Sequence, residues 1–202
     1  MVRAPAWCAA KPICHAQCVS ELWERATRHP FLRAVRDGTL PTAAFDTWLA
    51  QDHLFVADLL WFQARLLARA PRAAQPVLAA GAAALVVELA WFEELADERG
   101  LDLGHPAQPA TLTYRRLLER LDGAGYDDAM TALWAVEKTY LEAWRFAAPG
   151  AERFREVVAH WTTPAFGDYV DRLGAACSSL PGPVVDEVLR QEIAFWEMAW
   201  GR

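Results

Sequence analysis

The chain has 202 residues, 54% of them hydrophobic, and a formal net charge of −6. That is enough apolar material for one sizeable core, and one domain is the simplest organisation. The acidic balance, without any basic patch or run, speaks against a nucleic-acid partner. No apolar run reads as long enough to span a membrane, and the first 20 residues lack a secretory apolar stretch. The expected location is therefore the cytoplasm.

Residues 1–19 read as an N-terminal tail and 20–202 as a single all-α domain. Three of the four cysteines, Cys8, Cys14 and Cys18, crowd that tail around His15. Their spacing fits free thiols better than a zinc knuckle, whose second ligand pair is missing. Cys177 reads as a buried, inert thiol. Ser20 can cap a first helix beginning with Glu21-Leu22-Trp23, and His29-Pro30 breaks and restarts it. Gly38 closes that segment. Pro41 then opens a long helix from about Thr42 to Ala70, with Phe45, Trp48, Leu49, Phe55, Val56 and Leu59 at helical spacing. Further helices are expected over about Ala73–Arg99, Ala110–Leu121, Asp127–Phe146, Glu152–Trp161, Ala165–Cys177 and Val184–Trp200. Glycines and prolines punctuate them at Gly100, Gly104, Gly123, Pro149-Gly150 and Pro181-Gly182. No alternating strand pattern and no repeat occurs, so the class is all-α, with about seven or eight helices.

The informative test is which acidic side chains meet apolar neighbours one turn away on both sides. Asp52 lies among Trp48, Leu49, Phe55 and Val56. Glu88 has Ala84, Leu85, Trp91 and Phe92; Glu137 has Leu133, Trp134, Tyr140 and Leu141; Glu192 has Val188, Leu189, Phe195 and Trp196. A buried carboxylate is costly unless paired, so each of these is either a site residue or an edge-of-face group reaching water. Asp58 also passes the test, while Glu24, Glu98 and Glu142 fail it. Carboxylates gathered away from water have raised or split pKa values and can act as acid and base near neutrality. A dinuclear metal site would want Glu-x-x-His pairs, and none of the five histidines follows a glutamate at that spacing. No metal or other cofactor is expected.

His29-Pro30-Phe31, Asp37-Gly38-Thr39-Leu40-Pro41, Phe45 and Gln51-Asp52 resemble the start of TenA proteins, the thiaminase II group of the haem-oxygenase-like all-α fold. The likeness continues through Thr113-Tyr114, Tyr140, Glu142, Gly167-Asp168 and Glu192 ahead of Phe195-Trp196. It implies a helical bundle of that fold, a hydrolase of thiamin-related aminopyrimidines in thiamin salvage, and a homo-oligomer, a dimer or tetramer. It assigns the acidic residue on the second helix to Asp52, the acid/base glutamate to Glu192, and two site tyrosines to Tyr114 and Tyr140. The family's usual cysteine nucleophile would fall at Val136. The tyrosine that often follows the aspartate is Phe55, and another site tyrosine is replaced near Ala165-Phe166. These departures resemble the TenA_E branch, with Glu137 as the substitute for the missing thiol. The expected substrate is an aminomethylpyrimidine or its N-formyl form.

That chemistry suits the residues. Phe55, Tyr114, Phe166 and Trp196 could wall a flat ring, Asp52 could pair its amidine-like edge, and Glu88 is a further candidate for the pocket. Glu192 is expected to be the acid toward the leaving nitrogen. Glu137, held ionised by Tyr140, is expected to be the base that orients water. Two rivals stand beside this reading: a binding protein for small aromatics without turnover, and an oxidoreductase on the same fold.

Overall fold

The computed structural model describes residues 21–178, 180 and 182–201, and among them there is no strand. The three tail cysteines, His15 and the Ser20 cap lie outside the described residues. The helices, in order, are α1 (21–27), α2 (Pro30–Asp37), α3 (Thr42–Ala68), α4 (Gln75–Arg99), α5 (Pro109–Asp122), α6 (Tyr126–Ala147), α7 (Arg155–His160), α8 (Pro164–Ala176) and α9 (Pro183–Trp200). A 3₁₀ turn at Glu152–Phe154 precedes α7.

Proline stands in the first turn of α2, α4, α5, α8 and α9, where its missing donor has no helical partner to lose. His29 caps α2, its Nδ1 accepting from the Phe31 amide at 3.2 Å. Gly38 ends the same helix at φ 74°, a left-handed conformation that favours glycine. The single helix expected over Glu152–Trp161 is instead the 3₁₀ turn followed by α7, because Phe154 leaves helical geometry at φ −117°, ψ 0°.

The long helices α3 and α4 lie antiparallel. Asp46 near the start of α3 accepts from Arg99 at the end of α4, and Gln63 near the end of α3 reaches Leu78 near the start of α4. By length and composition alone α4 could cross a bilayer, contrary to the expectation that no run does. It is alanine-rich, and in this fold its buried residues Val77, Leu78, Gly81, Leu85, Phe92 and Ala96 form one stripe against the rest of the bundle. Val86 and Val87 remain exposed. Helix α6 is the central element, with most of its residues from Ala129 to Ala147 buried, and it is packed by α2, α8 and α9. An aromatic cluster of Phe31, Trp48, Trp144, Trp161 and Trp196 fills the space between these helices and fixes their approach.

Candidate active site

Four helices each deliver one carboxyl group to the same region. Asp52 comes from α3, Glu88 from α4, Glu137 from α6 and Glu192 from α9. Asp52, Glu137 and Glu192 are buried, and each of the four has an aromatic hydrogen-bonding partner within reach. The Tyr140 hydroxyl donates to Asp52 Oδ2 at 2.5 Å, and the Tyr114 hydroxyl donates to Glu192 Oε1 at 2.5 Å. The Trp161 indole N–H donates to Glu88 Oε1 at 2.8 Å. The Tyr169 hydroxyl stands 3.5 Å from Glu137 Oε1 and 3.3 Å from Gln63 Oε1.

Asp52, Glu88, Glu137 and Tyr140 line one small cavity of about 20 Å³, with Phe55 and Phe166 among its walls and Val136 beside Glu137. None of the described residues lining it is Arg, Lys or His. Glu88, Trp161 and Phe166 also border a wider, more open space of about 460 Å³ between α4 and α8. The amide of Phe166 donates to the Thr163 side chain that caps α8, so the cap sets Phe166 at the boundary between the two spaces.

Three of the expected pocket residues stand behind this cavity rather than in its wall. Tyr114 is packed against Phe55, with ring centroids 4.4 Å apart, and its hydroxyl is taken up by Glu192. Glu192 therefore sits one layer deeper than Glu137 and acts on the others through its charge. Trp196 lies between Phe31 and Tyr140, parallel to the tyrosine ring within 10°, and supports that ring from behind. The expected bond from Tyr140 to Glu137 is not made, because the Tyr140 hydroxyl goes to Asp52.

Burial without a cation moves every one of these groups toward its protonated form. Desolvation raises Glu137 from an ordinary 4.5 to about 8; Glu88 and Glu192 add to the rise, and a proton offered by Tyr169 would oppose it. Burial raises Glu88 to about 7 against the pull of the Trp161 N–H, and raises Glu192 to about 7 against that of Tyr114. Asp52 is raised by burial despite the Tyr140 bond, with Glu88 and Glu192 adding. Tyr114, Tyr140 and Tyr169 are all pushed upward, chiefly by burial, and stay protonated. Glu137 and Glu192 are thus both held toward the acid form, by different surroundings. Both are desolvated, but Glu137 faces two neighbouring carboxylates and Glu192 has a short phenol bond.

Asp58, which the sequence test could not separate from the others, is a partly buried partner of Arg115, with N–O distances of 2.8 and 3.0 Å. Glu142 bonds Lys138 and Arg145 at the surface. The Cys177 thiol lies away from the cavity, is raised by burial to about 11 and donates to the Leu173 carbonyl. Among the described residues no group of three or more His, Cys, Asp or Glu side chains comes together as a metal ion would require. Sequence reasoning missed Trp161, Tyr169 and Gln63. Gln63 carried a usable signal, since a lone amide among Leu59, Leu60, Leu66 and Leu67 passes the same test as the carboxylates.

The model of the TENA/THI-4/PQQC family matches residues 16–201. A Glycine max protein called "Probable bifunctional TENA-E protein" is 34% identical over 203 residues, covering 89% of each chain. The solved TenA homologue from Pyrococcus furiosus is 29% identical and superposes with a TM-score of 0.83 over 92% of this chain and 98% of that one. A TenA homologue from P. horikoshii shares the fold at 22% identity, with a TM-score of 0.80 over 91% of this chain and 95% of the other. With a family match spanning nearly the whole sequence, this chain belongs to the TENA/THI-4/PQQC family.

Proposed function

We propose that the protein hydrolyses thiamin-related aminopyrimidines, converting an aminomethylpyrimidine or its N-formyl form toward the hydroxymethyl product. The observation that supports this most is the meeting of Asp52, Glu88 and Glu137 in one aromatic-walled cavity with no Arg, Lys or His among the described residues that line it, and with valine at position 136. A flat ring bearing a basic, amidine-like edge is complementary in charge to such a carboxyl-rich site. Asp52, oriented by Tyr140, pairs that edge. Glu137 is the acid, in place of Glu192, and Glu88 is the base that orients water.

In the amine reaction, the water oxygen bonds to the exocyclic methylene carbon as its C–N bond breaks. One water proton passes to the base, and the Glu137 proton goes to the departing nitrogen, which leaves as ammonia. Return of the base's proton to Glu137 closes the cycle. In the N-formyl reaction, water adds to the formyl carbon and the C–N bond there breaks, releasing formate and the free amine. Family membership and the relative named TENA-E support thiamin-related chemistry of this kind. The test is release of ammonia from the aminomethylpyrimidine, and of formate from its N-formyl form, by purified protein. Tight binding with neither product would refute hydrolysis and leave a binding protein.

A second copy of the chain is the proposed cover for the exposed apolar face of α4. Val86 and Val87 are 56% and 68% exposed there, on a helix whose opposite stripe is core.

A further inference from the structure

Gln63 is fully buried on α3, and its amide can face only one way. Its Nε2 donates to the Leu78 carbonyl at 2.8 Å, and reversing the amide would set oxygen against oxygen. The Oε1 atom is therefore committed to accepting, and among the described residues its partner is the Tyr169 hydroxyl at 3.3 Å. A phenol has one proton. If that proton is held by Gln63, the 3.5 Å approach between Tyr169 and Glu137 Oε1 can be a hydrogen bond only when Glu137 is the donor. Helix α4 is opened to let this chain of groups through. A Cβ at Gly81 would lie 2.2 Å from both Gln63 Nε2 and the Tyr169 hydroxyl.

We propose that Gln63 is a positioning residue which, by fixing the direction of the Tyr169 hydroxyl, keeps Glu137 in its acid form. Its use rests on the hydrolytic reading, in which Glu137 protonates the leaving nitrogen; the direction of the hydrogen bonds does not. The titratable groups that face Glu137 are Glu88 from α4, Tyr114 from α5, Tyr169 from α8 and Glu192 from α9. All carry or can acquire negative charge, and none offers a cation that would ionise Glu137. A phenol donating to it would be the strongest local pull toward the carboxylate, and Gln63 removes that pull.

The test is an infrared titration of the protonated carboxyl band that disappears in Glu137→Gln, read without substrate. Gln63→Met keeps the bulk but frees the phenol proton to turn toward Glu137. The band's midpoint should fall by about one pH unit, a tenfold increase in acidity. The same substitution in a Tyr169→Phe background should move it no further. A midpoint that stays or rises in Gln63→Met overturns the proposal, as does an equal fall in both backgrounds. Tyr169→Phe alone leaves the Gln63–Leu78 bond in place, so it serves if Gln63→Met does not fold. Losing an acceptor from the acid lowers the midpoint, whereas losing a donor to the carboxylate raises it, and a rise overturns the proposal. Activity is read separately. Wild-type protein that shows the infrared signs but releases neither ammonia nor formate refutes the hydrolytic reading and leaves the hydrogen-bond chain intact. A protein that hydrolyses but shows the opposite signs does the reverse.

Discussion

Glu137→Gln should make the folded protein more stable in alkali while abolishing turnover. The amide mimics the shape of the protonated acid and cannot ionise. In the wild type, burial and the neighbouring carboxylates hold Glu137 at about 8 against an ordinary 4.5. A carboxyl raised in the folded state contributes its stabilisation fully below the unfolded value and loses it as the pH climbs through the folded one. At about 1.4 kcal/mol per pH unit, that interval amounts to a loss on the order of 5 kcal/mol between about pH 4.5 and pH 8. Access of water to the ionised group would reduce the observable part to roughly 2–4 kcal/mol. Urea unfolding of both proteins at about pH 5 and about pH 9 reads this term together with its charge coupling to Glu88 and Glu192, which are present in both proteins. The wild type should lose more stability across that range than the variant. Equal pH dependence in the two proteins would refute the assignment of a held proton to Glu137, whatever the activity.

Asp52→Asn keeps the side-chain shape but exchanges an acceptor for a donor opposite the ring edge. Calorimetric titration with the aminopyrimidine should show binding weakened by about 2 kcal/mol, roughly thirtyfold; unchanged affinity in the folded variant would make Asp52 a structural residue. Val86→Glu with Val87→Glu should shift the protein toward monomer in sedimentation equilibrium. A wild type that is already monomeric, or an assembly indifferent to both charges, removes α4 as the interface.

The all-α class was legible because the apolar periodicity is helical throughout and the first-turn prolines mark where helices begin. The carboxylates were legible for a related reason. An acid with large apolar neighbours on both adjoining turns of its own helix must reach a partner elsewhere, and Asp52, Glu88, Glu137 and Glu192 all do. The same test cannot say what the partner is. It could not distinguish Asp58, whose partner Arg115 comes from α5, from a site residue. Nor could it order Glu137 and Glu192 by depth, because depth depends on how α6 and α9 pack rather than on either helix alone. Trp161 and Tyr169 escaped notice because each acts on a carboxyl group carried by a different helix.

Val136 and Glu137 are best understood together. A cysteine nucleophile works as its thiolate, and its thiol is activated by nearby positive charge or a hydrogen-bond donor. Here such a thiol would share a wall with Glu137, Glu88 and Asp52, three groups that burial already holds toward their protonated forms. Adding a further negative charge would raise the thiol and the acids alike, so a thiolate and a carboxylate cluster of this density oppose one another in one small cavity. An aliphatic side chain removes the conflict. It also withholds hydrogen bonds from Glu137, which helps keep that carboxyl protonated near neutrality. On the proposed reading, the nucleophile then becomes water, which needs only a base, and the departing nitrogen takes its proton from the acid that the valine helps to keep neutral.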